Sequence, residues 1–569
     1  MKHLTIIIAI LVLISSTIFG QRPIDVNEVR IVAPFEPRIS DAFKINDNPN
    51  IDDLKPEKPA FNYSITPRKL ETRFQLAPIR PAQVNQPAPP ALNHGHLRLG
   101  FGSQATPYAE LFVNSNRSKT HAVGLNIRHY SSLSSIPNYA FAGFAENLAN
   151  LFGTYFFGNS LLNGGLGFSH DRMHYYGFDP TDYGFAPHGQ TPTQGQLDLN
   201  KKDYSQNITR FNANVGLRNR ENSSSKVIYG IGLDYKLFAD RHDAKEQLTT
   251  LNGRIGHNID GSVKSYENPL ISLDLNAKFF NNTLQQNSLS STIVSMMPGV
   301  GYKGSNFSAF AGVNAVVKVD TSKTSLGIYP NFMVEASLID QYLKVHGKLS
   351  GGLKQQSLDE LTRINPFLGP SSDLRVENTK INVAGGVKGI FSDNLSYNLS
   401  FSGARIQNYA LYATDFLSQF QNKFLIVYDT ITRIGLRGEL FSSFGQKAQA
   451  RFSATYYQYA LKNELMPWHL PEVELSLNTK LNITDEIILS ADLFGRGKTF
   501  AKTFDTDNTV IGRKLHDFVV DFNIGGEYKI TPTLSAFIQV QNATGKSFER
   551  WLNYPTRGIN VFGGIGWSF

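Results

Sequence analysis

The sequence predicts an all-β fold: a transmembrane antiparallel β-barrel of about 22 strands, within a range of roughly 16 to 22, behind a Pro-rich extended N-terminal arm. Three observations predict it. A short apolar leader opens the chain, segments of alternating polarity run from His96 to Phe569, and tight turns alternate with long loops along that array.

Residues 1–20 read as a secretory signal peptide. Lys2 supplies the positive flank, and Leu4–Ile14 form an apolar stretch too short to span a bilayer as a helix. Cleavage after Gly20 would leave 569 − 20 = 549 residues and a charge of 8 − 1 = +7. With no cysteine in the chain, neither a lipid anchor at the junction nor a disulfide framework is available.

Residues 21–95 form the second region, which holds 12 of the 26 prolines, including Gln86-Pro-Ala-Pro-Pro90. Proline at that density prevents long helices and central strands. The reading is an extended periplasmic arm, with an ordered patch expected only around Val29–Asn46.

Residues 96–569 form the third region, the barrel. No run of about 18 apolar residues occurs after the leader, so membrane-spanning helices are not expected. A barrel hides its apolar residues at alternate positions. Val227, Tyr229, Ile231, Leu233, Tyr235 and Leu237 oppose Gly230, Gly232, Asp234 and Lys236. Ile271, Leu273, Leu275, Ala277 and Phe279 likewise oppose Ser272, Asp274, Asn276 and Lys278. Phe518, Val520, Phe522, Ile524 and Tyr528 oppose Asp521, Asn523, Glu527 and Lys529. One face suits lipid and the other water.

Tight links fall at Asn114–Lys119, Gly158–Ser160, Lys303–Asn306, Ile339–Tyr342, Ser392–Leu395, Phe444–Lys447, Thr484–Glu486 and Thr531–Thr533. Long ones fall at Met173–Tyr204, Leu353–Val376, Asn408–Lys423 and Gly497–Arg513. Short turns on one rim and long loops on the other characterise outer-membrane barrels. The last segment, Ile559, Val561, Gly563, Ile565, Trp567 and Phe569, alternates to an aromatic carboxy-terminal residue. Trp567 and Phe569 are read as the signal for the bacterial barrel-insertion machinery.

The stretches Thr106-Pro-Tyr-Ala-Glu-Leu-Phe-Val113, His129-Tyr-Ser-Ser-Leu-Ser-Ser135, His174-Tyr-Tyr-Gly-Phe178 and Arg550-Trp-Leu-Asn-Tyr-Pro-Thr-Arg-Gly558 resemble the barrels of TonB-dependent receptors of the Bacteroidetes. The resemblance covers His96–Phe569 and implies a 22-stranded barrel in the bacterial cell outer membrane. Such receptors carry a folded plug domain ahead of the barrel, where this chain has its Pro-rich arm. Val26–Ala33, with Val26, Val29, Ile31 and Val32, is a candidate contact for TonB by the same resemblance.

Nine charged positions are expected to face the lumen: Arg128, Asp234, Lys236, Asp274, Lys278, Arg451, Asp521, Glu527 and Lys529. Their mixed signs set no substrate charge. The 67 aromatic residues suit girdles at headgroup depth, with Tyr229, Tyr235, Tyr528 and Trp567 as candidates.

Other motifs carry no chemistry. Gly299–Gly304 matches G-x-G-x-x-G, but an alternating strand follows it where phosphate binding needs a helix. His170 and His174 would lie about 13 Å apart on an extended strand, too far to share one ion. Asp505-Thr-Asp-Asn508 lacks the remaining ligands of a calcium loop. No metal site, cofactor or enzyme activity is expected, and the scattered basic residues of an exported chain do not suit nucleic acid.

The expected function is transport or permeation of a solute across the outer membrane. The alternative is a non-transporting scaffold subunit of an assembly or secretion complex. Expected partners are outer-membrane lipid, the barrel-assembly machinery, and TonB or a periplasmic or lipoprotein partner.

Overall fold

Alternation at period two places each strand's apolar side chains on one surface, and a sheet that closes on itself leaves no unpaired edge in lipid. The computed structural model, which describes residues 92–180, 200–220, 226–257, 271–284, 287–320, 323–370 and 373–569, has this architecture. The leader, most of the arm and the Val26–Ala33 segment lie outside the described residues.

Twenty-two strands form the ring among the described residues. The first nine are β1 (Gly95–Gly102), β2 (Thr106–Asn114), β3 (His121–Ser132), β4 (Phe144–Phe157), β5 (Ser160–His174), β6 (Ser205–Asn219), β7 (Val227–Asp240), β8 (Lys245–His257) and β9 (Ile271–Leu284). Next come β10 (Asn287–Lys303), β11 (Phe307–Asp320), β12 (Thr324–Ile339), β13 (Leu343–Gln355), β14 (Val376–Ser392), β15 (Leu395–Thr414), β16 (Phe424–Phe444), β17 (Ala448–Leu461), β18 (Val473–Asn482) and β19 (Ile487–Arg496). The ring ends with β22 (Val519–Lys529), β23 (Leu534–Gln541) and β26 (Asn560–Ser568). Every strand pairs antiparallel with its predecessor in this order, and β26 pairs with β1 from His96↔Ser568 to Gly102↔Phe562, which closes the cylinder. Two hairpins stand outside the ring: β20 (Thr499–Phe504) with β21 (Val510–His516), and β24 (Glu549–Trp551) with β25 (Tyr554–Pro555).

Register assigns the faces. On β7, Val227, Tyr229, Ile231 and Leu233 are exposed on the outer surface, whereas Ile228 and Phe238 are buried on the inner one. Ile271, Leu275 and Phe279 of β9 are exposed in the same way, against buried Ser272 and Phe280. Gly299–Lys303 continue β10, and Gly304 begins the turn into β11.

All eight tight links fall on the rim that carries both ends of the barrel chain. Gly158 (φ +51°) and Gly445 (φ +59°) supply the left-handed residue of their turns at low cost, whereas the Ile339–Tyr342 turn places Gln341 there (φ +64°). The opposite rim, the loop rim, carries all four long loops.

Two of those loops carry regular structure of their own. Leu353–Val376 contains helix α1 (Leu358–Ile364), and Gly497–Arg513 is largely the β20–β21 hairpin. Asp505 lies in that hairpin's turn, where its Oδ1 accepts from the backbone N–H groups of Asp507 and Thr509. Ser357 caps α1, accepting from the Glu360 N–H at 3.2 Å, with Asp359 and Glu360 in the first turn.

Candidate functional site

The loop-rim segments fold inward and bury a shared apolar core. Tyr175 and Tyr176 follow β5, Phe367 and Leu368 follow α1, Phe424 begins β16, and Trp551 and Tyr554 form the β24–β25 hairpin; all belong to one buried cluster with Phe238 and Phe280 of the wall. The aromatic excess is therefore only partly a matter of girdles. Burying a ring of this size contributes about 1.5–3 kcal/mol, so the cluster gives the lid a fixed packing.

At its centre Tyr554 stacks on Phe367 with ring centroids 3.7 Å apart and meets Tyr176 edge-on at 4.8 Å. Hydrogen bonds satisfy the phenols that this burial takes from water. Tyr554 donates to the Asn422 carbonyl, Tyr176 to Pro555 O at 3.0 Å, and Tyr175 to Leu368 O at 3.1 Å. Burial pushes the Tyr176 phenol up to about 12 and raises that of Tyr554 well above its ordinary value, so both remain donors.

Charged groups tie the lid to the wall. Arg210 of β6, 7% exposed, donates from Nε to Asp359 Oδ1 of α1 at 2.7 Å, from Nη1 to Asp171 of β5 at 2.6 Å and from Nη2 to Thr362 Oγ1 at 2.9 Å. A carboxylate of β8, Glu246, accepts from the Leu358 N–H at 2.6 Å in the first turn of α1. One helix is thus held at its start by two strands of the wall.

Beneath the lid lies a polar chamber of about 1050 Å³. Its walls come from β3–β6 on one side and β22, β23 and β26 on the other; Phe367, Tyr176 and the Arg550–Gly558 segment close it on the lid side. A second cavity of about 500 Å³ shares Arg128, Leu148, Asn150 and Asn212 with it and runs on to Phe112 and Asn126. Gly167 makes room for two amides of this inner wall: a Cβ there would collide with Asn212 Oδ1 and lie 2.8 Å from Asn150 Oδ1.

Of the nine charged residues expected to face the lumen, Arg128 and Asp521 line the chamber. Arg128 lies 3.7 Å from Glu146, and Asp521 accepts from the Phe522 N–H at 2.7 Å. Asp234 accepts from Asn252 at 3.0 Å, and Asp274 pairs with Arg254 on the wall of β7–β9. Lys278 is half-buried on β9, and Lys236 enters no ion pair among the described residues. Arg451 lies on the opposite wall over the Phe441 ring at 5.6 Å. Glu527 pairs in register with Phe537, while Lys529 reaches the terminal rim and donates to Asp485 O at 3.0 Å. Trp567 and Phe569 are exposed and 4.8 Å apart.

The histidines read from spacing serve structure: His170 bonds Thr209 at 3.0 Å, and buried His174 bonds the Gly143 carbonyl at 2.6 Å. Among the described residues no three His, Cys, Asp or Glu side chains gather to hold a metal ion. Arg210, Arg550 and Arg557 were not singled out from the sequence, because only folding brings these isolated arginines to one chamber.

No protein family model and no curated protein matches the chain. Solved structures do. The chain is similar to the ferripyoverdine receptor of the outer membrane of Pseudomonas aeruginosa bound to ferripyoverdine, with a TM-score of 0.61 and 13% identity over 84% of this chain and 72% of that one. It is also similar to the ferric-catecholate import receptor Fiu from K12 E. coli (0.60, 11% identity, 84% and 82%) and to the FrpB iron transporter from Neisseria meningitidis (0.60, 11%, 84% and 82%). At these identities the likeness is one of fold, and the chain has the closed 22-strand antiparallel barrel of such outer-membrane receptors.

Proposed function

We propose that the chain is an outer-membrane barrel that admits a solute through a mouth closed by its own rim loops. The observation that carries this reading is the polar chamber under a buried aromatic lid. A lid packed around Tyr554 and latched by Arg210 blocks free diffusion, while the chamber offers a solute a desolvated polar surface once the lid moves. The outer surface supports the membrane assignment: Ile231, Leu326 and Ile328 are 65%, 71% and 70% exposed on strands where lipid would cover them. The loop rim then faces outward and the terminal rim the periplasm.

This reading makes residues 21–95 a periplasmic arm and Val26–Ala33 its contact with TonB. Trp567 and Phe569 present the insertion signal. Bilayer recording tests the core of the proposal. The full chain is expected to conduct little, and a chain lacking Gln356–Arg375 to open measurable channels. A variant that stays electrically silent and binds no solute would overturn it.

A further inference from the structure

We infer, resting on the reading above, that the chamber selects an oxyanion-bearing solute, a carboxylate or a phosphate, held by Arg128, Arg550 and Arg557. The lining places six arginines (128, 172, 210, 363, 550 and 557) against three carboxylates (Glu146, Asp171 and Asp521). The lid latch uses part of this charge, since Arg210 is neutralised by Asp171 and Asp359 and also donates to Thr362, and Arg363 is held by Asp359 at 2.9 Å.

Of the other four, Arg172 is exposed and donates from Nε to Asn207 Oδ1 at 3.3 Å, and three are left with at most one weak ion pair among them. Arg557 enters no ion pair among the described residues; its plane lies 4.3 Å over the Phe144 ring, and Nη2 donates to the Ala142 carbonyl at 2.8 Å. Arg550 enters none either and is exposed. Arg128 has only Glu146, at 3.7 Å, and the Nε atoms of both Arg128 and Arg557 are buried without a hydrogen-bond partner. Desolvating one N–H of a guanidinium with no acceptor beside it is costly, and a bidentate oxyanion on the accessible N–H groups offsets this cost. Around these cations stand Tyr130, Phe144 and Phe367, which suit a solute with an unsaturated or apolar body.

Position reinforces charge. Arg128 lies where the chamber joins the second cavity, whose lining holds no other cation: it continues with the amides Asn126, Asn150, Asn212 and Asn214, the Glu110 carboxylate and apolar side chains such as Leu148 and Leu151. An anion released from the arginines would meet amides and one carboxylate there, with no second cation along that wall to trap it.

The test uses the full chain in detergent, titrated with citrate or inorganic phosphate, with maltotriose as the neutral probe and Trp551 fluorescence as readout. Citrate or phosphate is expected to bind and maltotriose not. Arg128→Gln and Arg557→Gln should each weaken binding roughly tenfold or more. Arg437→Gln, on the opposite wall and paired with Glu439 at 2.8 Å, should leave it unchanged. Circular dichroism confirms that each variant is folded. Equal binding of all three probes, or folded arginine variants that retain full affinity, would overturn the inference. Because binding is read without conduction, a silent bilayer experiment and a failed titration remain separate results.

Discussion

Arg210 of the barrel wall and Asp359 of the lid helix form an ion pair at 2.7 Å across 149 residues of chain, both largely buried. Removing the cation leaves Asp171 desolvated without its partner and Asp359 with Arg363 alone, which costs about 3–5 kcal/mol. Arg210→Met is therefore expected to undock α1. Hydrogen exchange of Leu358–Ile364 should rise by orders of magnitude while the barrel strands stay protected. Unchanged exchange in the helix would show that the latch is not electrostatic.

The aromatic knot separates packing from hydrogen bonding. Tyr554→Phe loses only the bond to the Asn422 carbonyl, about 1 kcal/mol, whereas Tyr554→Ala also removes the stack on Phe367 and should cost about 3–5 kcal/mol. Limited proteolysis of the loops should follow that order. Equal sensitivity of the two variants would refute the packing account.

Acid should loosen the lid through His469. Burial beside Trp551 and the nearby Arg496 charge hold its imidazole down at about 3. Above about pH 6.5 the ring is neutral whether the lid is docked or open, and the lid keeps its full stability. As pH falls through 6.5 and on towards 3, the open form takes a proton that the docked form refuses. Stability then drops by about 1.4 kcal/mol per pH unit, about 2 kcal/mol by pH 5. His469→Asn removes the titration and tolerates the positive φ of 59°. Its loop protection should be flatter with pH than that of the parent chain.

The outer face should reject charge. Ile231→Arg is expected to cost about 2–4 kcal/mol of folding in lipid, and the inward Asp234→Arg much less. Gel mobility of heated and unheated samples, refolded into vesicles, measures both. A reversed order would place the wrong face against the bilayer.

The strands and terminal-rim turns were legible because both are local. Val227–Leu237 announces its two faces within eleven residues, and Gly158 and Gly445 lie where chain reversal needs them. The lid was not, because Tyr175, Phe367 and Tyr554 follow no period and find each other only in space. One local sign was available: Ser357-Leu-Asp-Glu360 has the form of a helix-capping box, short enough to be lost inside a long loop. At the site, alternation found Arg128 and Asp521. It could not rank them above Lys529, whose amine is engaged at the far rim, nor find Arg557, which is on no strand.

Closure of the ring also dictates an order of assembly. Tyr176 reaches Pro555 across 379 positions, and that meeting requires β5 and the final hairpin to be neighbours around a finished circle. Until His96 and Ser568 meet, the rings later hidden overhead stay bare, so a half-built sheet would be sticky and a chaperone target, and the roof would set only as the last seam is sewn.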